Sequence, residues 1–138
     1  MVNSRIALPF LCLILSTVLV LPFSSCQTYL DFAGYAYEWT NAPAGAASKI
    51  IEADRVPEGY QVKPLEGVTV DAEDKDGSHP FQMVSNELGY FHKALYVEIQ
   101  EDIIAKVNYP GYNNTILQFG VHKDRYFYSL IVLLVPAG

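Results

Sequence analysis

The chain has 138 residues, of which 51% are hydrophobic and 17% are charged, and its formal net charge is −6. An acidic balance of this kind excludes a nucleic-acid-binding role, because contact with phosphates requires clustered Lys and Arg side chains. The length suits a single domain that buries its own apolar core.

Residues 1–25 have the features of an export signal. Arg5 provides a short basic start, residues 6–23 are almost wholly apolar, and small residues follow. The alternative is a membrane-spanning helix, since about 18 apolar residues approach the lower limit for crossing a bilayer. Pro9 and Pro22, together with the lack of a basic cluster after the apolar run, favour a cleaved signal.

The segment FSSC at residues 23–26 resembles the lipobox of bacterial lipoproteins, in which the chain is cut before the cysteine and the thiol is joined to diacylglycerol. Cys12 lies in the segment that would be removed, so Cys26 would be the sole cysteine of the mature chain. A lone cysteine in an exported protein requires an explanation, and acylation provides one. We therefore predict an envelope protein anchored through Cys26. Gln27 points to the outer membrane, and the alternative is ordinary secretion.

Alternation of apolar and polar residues predicts an all-β domain at residues 32–138, after a short tether at residues 26–31. Asp76 and Gly77, and later Pro110 and Gly111, have the chemistry of tight turns. The last strand is too continuously apolar for an exposed sheet edge, so we expect it to be paired on both sides or covered. Seven strands are predicted, at about residues 32–39, 68–71, 81–84, 90–100, 103–109, 115–121 and 126–135.

Four segments resemble the carboxypeptidase regulatory-like domain: PLEGVTV at 64–70, DG at 76–77, NELGYF at 86–91 and VNYPGY at 107–112. The likeness runs from about residue 33 to residue 136. It implies a seven-stranded, transthyretin-like Greek-key β-sandwich. Such domains accompany enzymes, transporters and surface proteins alike, so the resemblance implies a fold more than a function.

An aromatic stripe follows from the alternation in the first predicted strand, which places Tyr35, Tyr37 and Trp39 on one side. We predict that this side belongs to the sandwich core, with the tyrosine hydroxyls reaching partners at the rim. The alternative is a platform that contacts a ligand or partner, such as a stacked sugar.

Residues 40–63 interrupt the strand pattern and form an insertion relative to domains of the resembled kind. The segment begins with small residues and is predicted as a loop, with one turn of helix at about residues 48–55. Long loops in compact domains tend to be functional or disordered, so this insertion is a candidate contact element.

No catalytic motif is evident, and we predict no enzymatic activity, no cofactor and no metal. None of His79, His92 and His122 begins a His-x-x-Glu zinc motif, and there is no nucleophile elbow. Two alternatives remain open. One is a small hydrolase or metal-dependent enzyme built from converging histidines. The other is a loose calcium site in the acid-rich residues 71–76, which do not follow the spacing of a helix-loop-helix calcium loop.

The function predicted from sequence is a non-enzymatic, membrane-anchored binding or scaffold module of the bacterial cell envelope. Its expected partners are the membrane, through the lipid anchor, and another envelope protein or a glycan. A further alternative is an accessory subunit of an envelope peptidase or transporter.

Overall fold

The computed structural model describes residues 29–138, apart from positions 97, 98, 100 and 123. The predicted export signal, Cys26 and the start of the tether lie outside the described residues. Within the described part of the chain, no helix is long and apolar enough to cross a membrane.

In the part of the chain that the structure describes, nine strands form two sheets that face each other across one core. The prediction of an all-β sandwich is confirmed. In chain order the strands are β1 Leu30–Trp39, β2 Lys49–Glu52, β3 Val62–Pro64, β4 Thr69–Asp74, β5 Phe81–Val84, β6 Tyr90–Leu95, β7 Ile103–Val107, β8 Thr115–Phe119 and β9 Phe127–Leu134.

The first sheet has β9 and β1 at its centre, paired in parallel over eight residues of each strand. β2 pairs with the other side of β9. The free side of β1 is shared by two strands: β6 pairs with its first half and β3 with its end. The expectation that the last strand is paired on both sides is therefore confirmed.

The second sheet has the order β5, β4, β7, β8, and every pair in it is antiparallel. Its inner face carries Val70, Ile103 and Val107, each at most 1% exposed. Against them lie the inner residues of the first sheet, where Phe32 contacts Phe81 of the second sheet at a ring-centroid distance of 5.0 Å. The two sheets are thus joined by aromatic and β-branched side chains.

Two strands were missed by the sequence analysis, and both lie in the insertion. The expected turn of helix at residues 48–55 is wrong, because Lys49–Glu52 is extended and pairs with β9. The segment is only four residues long and shows no clear alternation, so its conformation is set by the neighbouring strand. The adjacent β-branched residues Ile50 and Ile51 were the available local signal.

The turns behave as predicted at the two glycines named. Gly77 follows Asp76 with φ of +78°, and Gly111 follows Pro110 with φ of +88°. Both values lie in the left-handed region that glycine adopts without steric cost. The predicted strand at about residues 90–100 is shorter in the structure, since β6 ends at Leu95.

Candidate functional site

The outer face of the first sheet carries the aromatic stripe, contrary to the prediction that the stripe forms the core. Along β1 the buried positions are Leu30, Phe32, Gly34 and Ala36, and the half-buried ones alternate with them. Tyr35, Tyr37 and Trp39 therefore point away from the second sheet. The reason lies in the strand itself. Leu30 and Phe32 fill the core, and alternation places the three larger rings on the opposite side of the strand.

Three tyrosines, Tyr35, Tyr37 and Tyr90, form what we call the tyrosine cluster. The ring centroids of Tyr35 and Tyr37 are 5.9 Å apart with planes 12° from parallel. Tyr90, on β6, leans onto Tyr35 at 5.3 Å and 57°. These distances fall within the range of favourable aromatic contact. Burial raises the pKa of Tyr37, and the neighbouring Tyr35 raises it further.

The tyrosine cluster lies beside buried apolar residues of β9. Ile131 and Leu133 of β9 lie on the same outer face, beside Tyr35 and Tyr37 in the strand register, and are 1% and 0% exposed. In the strand register they lie between Tyr35 and Tyr37 of β1 on one side and Ile51 and Lys49 of β2 on the other. The tyrosines are thus held by an apolar layer and a paired sheet, which is the arrangement that keeps a contact surface in one geometry.

A cleft of about 60 Å³ opens beside the cluster. Tyr35, Tyr90 and Ile131 form one part of its lining, and the backbone of Gly34 contributes another. Asp54 also lines the cleft, and its side chain is 74% exposed. The cleft therefore has a carboxylate at its rim.

Trp39 does not join the tyrosine cluster, because the insertion folds back and contacts its ring. Tyr60 contacts the indole at 4.9 Å, and Lys49 Nζ lies 5.0 Å from the ring centroid. Lys49 also donates a 2.9 Å hydrogen bond to the Tyr60 hydroxyl. We call this group the Trp39 latch. Asn41 extends it by accepting hydrogen bonds from the Trp39 indole N–H and from the backbone N–H of residue 61.

The latch gives a direct prediction, since Trp39 is the only tryptophan in the chain. Tyr60→Leu removes the ring contact and the acceptor for Lys49. We expect a loss of about 1 kcal/mol of unfolding free energy and a red-shifted Trp39 emission, because the indole gains solvent contact. Emission excited at 295 nm checks this. Tyr126→Leu, a change at an exposed tyrosine on another element, is the control and should leave the emission maximum in place; equal spectra for the two variants would contradict the latch.

The three histidines lie beside three different partners. His79 Nδ1 is 2.8 Å from Asp74 Oδ2, His92 contacts Asp31, and the backbone N–H of His122 donates to the Tyr128 hydroxyl. In residues 29–138, as far as they are described, no group of three His, Cys, Asp or Glu side chains is placed to hold a metal ion. The convergence on which the histidine-based enzyme hypothesis depended is not found there.

A Ser-His-Asp group does occur in the turn between β4 and β5. The buried Asp74 accepts hydrogen bonds from the backbone N–H groups of Ser78 and His79, from the Ser78 hydroxyl and from the His79 ring. Burial alone would raise the pKa of Asp74, but these hydrogen bonds outweigh it and hold the pKa well below its usual range. The Ser78 hydroxyl donates to the carboxylate and lies 3.0 Å from His79 Nδ1, which also contacts Asp74, so the three side chains together close the turn.

The second sheet offers a contrasting outer face. A depression of about 430 Å³ there is lined by Asp71, Glu73, Gln82 and Lys106 among others. Its lining mixes both signs of charge and holds no aromatic cluster comparable to that of the first sheet. The acid-rich residues expected as a loose calcium site contribute to this face through Asp71 and Glu73, while Asp74 points inward.

No protein-family model and no curated protein matches the chain. Among solved structures, chlorocatechol 1,2-dioxygenase from Pseudomonas putida superposes with a TM-score of 0.50 at 9% identity, over 79% of this chain and 61% of that chain. A 3-chlorocatechol 1,2-dioxygenase from Rhodococcus opacus 1CP gives a TM-score of 0.47 at 12% identity, over 80% of this chain and 60% of that one. The shaft pilin SpaA from Lactobacillus rhamnosus GG gives 0.48 at 15% identity, over 81% of this chain and 52% of that one.

These similarities concern the fold, an immunoglobulin-like or transthyretin-like β-sandwich, and the chain spans less than two thirds of each neighbour's length. The prediction that the chain is not an enzyme is contradicted, because the chlorocatechol 1,2-dioxygenase from Pseudomonas putida, an enzyme, shares the fold. At identities of this order a shared fold does not carry an activity or a substrate from one chain to another.

Proposed function

We propose that this chain is a partner-binding β-sandwich of the bacterial cell envelope, held at the membrane by a lipid on Cys26. It resembles the carboxypeptidase regulatory-like domain, and its domain organisation is a signal at 1–25, a short tether and one sandwich. The observation that carries the proposal is the tyrosine cluster, which places three half-exposed aromatic rings on a rigid sheet face.

A protein partner fits this surface better than a glycan does. A sugar stacks on an open ring face, whereas Tyr35 contacts another ring on each side. The adjoining cleft of about 60 Å³ suits a small side chain. Tyrosine and tryptophan are also the residue types enriched among those that dominate binding energy at protein interfaces.

Charge adds a preference to this proposal. With Arg5 in the signal, eight basic residues remain against fifteen acidic ones in the mature chain, a net charge of −7. Asp54 adds a carboxylate beside the tyrosine cluster, and Arg55 Nε lies 3.5 Å from it. An acidic surface attracts partners of opposite sign and speeds their association. The expected partner is therefore an envelope protein with a basic contact region.

The experiment begins with cross-linking in intact cells, identification of the attached protein and measurement of its Kd with the mature chain. Tyr35→Ser and Tyr90→Ser are each expected to weaken binding by about tenfold or more, the effect of removing an interface anchor. Ile116→Ser, which alters an exposed residue of the second sheet, is the matched control and should leave Kd unchanged.

Two outcomes would refute this assignment. Unchanged affinity in both tyrosine variants would place the contact surface elsewhere, provided that their thermal unfolding confirms a folded sandwich. Loss of binding after enzymatic removal of the partner's sugars would replace the protein contact by a glycan contact. Tyr35→Phe and Tyr90→Phe, which keep the rings, separate the contribution of the hydroxyls from that of the aromatic surface.

A further inference from the structure

Four exposed aromatic side chains lie together at one end of the first sheet, remote from the Trp39 latch. Tyr29, Tyr96, Tyr126 and Phe127 are 38%, 63%, 51% and 66% exposed. We call them the aromatic end. None belongs to the core cluster between the two sheets. Grouped exposed rings of this kind are uncommon on a monomer unless the surface contacts something else.

The strand pairing brings the four together. β1 and β9 are parallel and start side by side, with Phe127 opposite Asp31 and the backbone N–H of Asp31 donating to the Tyr126 carbonyl at 2.8 Å. β6 runs the other way and ends beside the start of β1. Its following residue, Tyr96, therefore meets Tyr29, with ring centroids 5.2 Å apart.

The short segment between Cys26 and Tyr29 restricts what the aromatic end can contact. Only two residues separate Cys26 from Tyr29. Three steps of extended chain reach about 10 Å, so a lipid on Cys26 would hold Tyr29 close to the headgroup region of the bilayer. This step rests on the lipid anchor of the proposed function.

The chemistry of the four side chains matches that location. Tyrosine is enriched at membrane–water interfaces, where its ring lies among the upper acyl chains and its hydroxyl stays hydrated. The charged side chains nearby are of both signs: Asp31, which contacts the His92 ring, is acidic, and Arg125 lies 3.6 Å from Glu52. Contact with lipid would therefore depend on the rings, and little on the charge of the headgroups.

We propose that the aromatic end docks on the surface of a phospholipid bilayer and sets the orientation of the sandwich. β1 has ten residues from Leu30 to Trp39, a length of about 30 Å. Docking at its first residue directs its other end away from the membrane. The Trp39 latch then faces outward, and the tyrosine cluster lies between the two ends.

A vesicle experiment tests this without relying on native acylation. The chain from Cys26 onward has a single cysteine, which is coupled to a maleimide-bearing phosphatidylethanolamine in phosphatidylcholine vesicles brominated near the headgroup end of the acyl chains. Bromine quenches only nearby indoles. A reporter with Phe127→Trp and Trp39→Phe should lose more than about half of its emission relative to vesicles without bromine, because interfacial aromatics reach that depth. The native chain, whose only tryptophan is Trp39, should lose none.

Substitutions within the reporter background complete the test. Tyr29→Ser with Tyr96→Ser should abolish most of the quenching, whereas Val84→Ser with Ile116→Ser, which removes exposed apolar residues elsewhere, should not. An unquenched reporter, or equal quenching at positions 39 and 127, would overturn the docking proposal. The lipid anchor is judged separately by the mass of the native N-terminal peptide, so an unmodified Cys26 would refute the anchor and leave the vesicle result standing.

Discussion

Gly34→Ala is expected to destabilise the sandwich by about 3 kcal/mol, near the upper end of the range for overpacked cores. A Cβ at this position would lie 2.1 Å from the backbone carbonyl oxygen of Leu130 and 2.6 Å from Cζ of Phe91. The carbonyl belongs to β9, the central neighbour of β1, and a paired backbone cannot move aside as a flexible side chain can. The strand pairing itself would have to open.

Urea unfolding followed by Trp39 emission measures this effect as a fall in the midpoint concentration. Gly120→Ala is the matched control, since its Cβ would meet nothing closer than 3.5 Å, an ordinary contact distance. Equal midpoints for the Gly34 variant and the wild-type chain would show that β1 and β9 are not packed as closely as described.

Asp74→Asn is expected to cost about 2 to 3 kcal/mol at pH 7, because the carboxylate is 5% exposed and accepts several hydrogen bonds from Ser78 and His79. An amide offers one acceptor oxygen and turns an N–H₂ group towards donors. The turn between β4 and β5 would lose the group that closes it.

The same residue determines how stability depends on acid. The pKa of Asp74 is lower in the folded chain than its ordinary value, so the folded state favours the ionised form. Its contribution is complete above the unfolded pKa of about 3.9 and is lost as the pH falls below that value towards the folded pKa. Urea midpoints at pH 7 and pH 3 should therefore differ more for the wild-type chain than for Asp74→Asn. Asp54→Asn, at a side chain that is 74% exposed, should keep the wild-type difference between the two urea midpoints. If Asp74→Asn also kept the full wild-type difference, Asp74 would not be the group that makes stability depend on acid.

Most strands could be predicted from sequence because alternation is a local property. β5 begins and ends at the predicted residues, and the start of β7 was also predicted correctly. β2 and β3 could not be predicted in this way, because four and three residues carry too little pattern and their conformation comes from β9 and β1.

The aromatic stripe shows a different limit of sequence reasoning. Alternation along β1 correctly separates Tyr35, Tyr37 and Trp39 from the residues between them, but it does not say which side is inner. Ring size suggested the core. The better signal was at the start of β1. Leu30 and Phe32 have wholly apolar side chains and share a side with Gly34 and Ala36. The latch formed by Lys49 and Tyr60 depends on how the insertion folds back, which no local pattern encodes.

The parallel pairing of β1 with β9 has a consequence for how the chain reaches this structure. The two strands at the centre of the first sheet come from opposite ends of the domain, and Asp31 meets Phe127 across almost the whole sequence. Contacts between residues so far apart in the chain form slowly, because closing a large loop costs conformational entropy before the strand pairing stabilises the chain. During synthesis, β1 cannot pair with β9 until residues 127–134 have been made, so its apolar inner side stays uncovered until then. A chain that stops before them would present an unpaired strand edge, and we expect such fragments to aggregate instead of folding into a smaller sandwich.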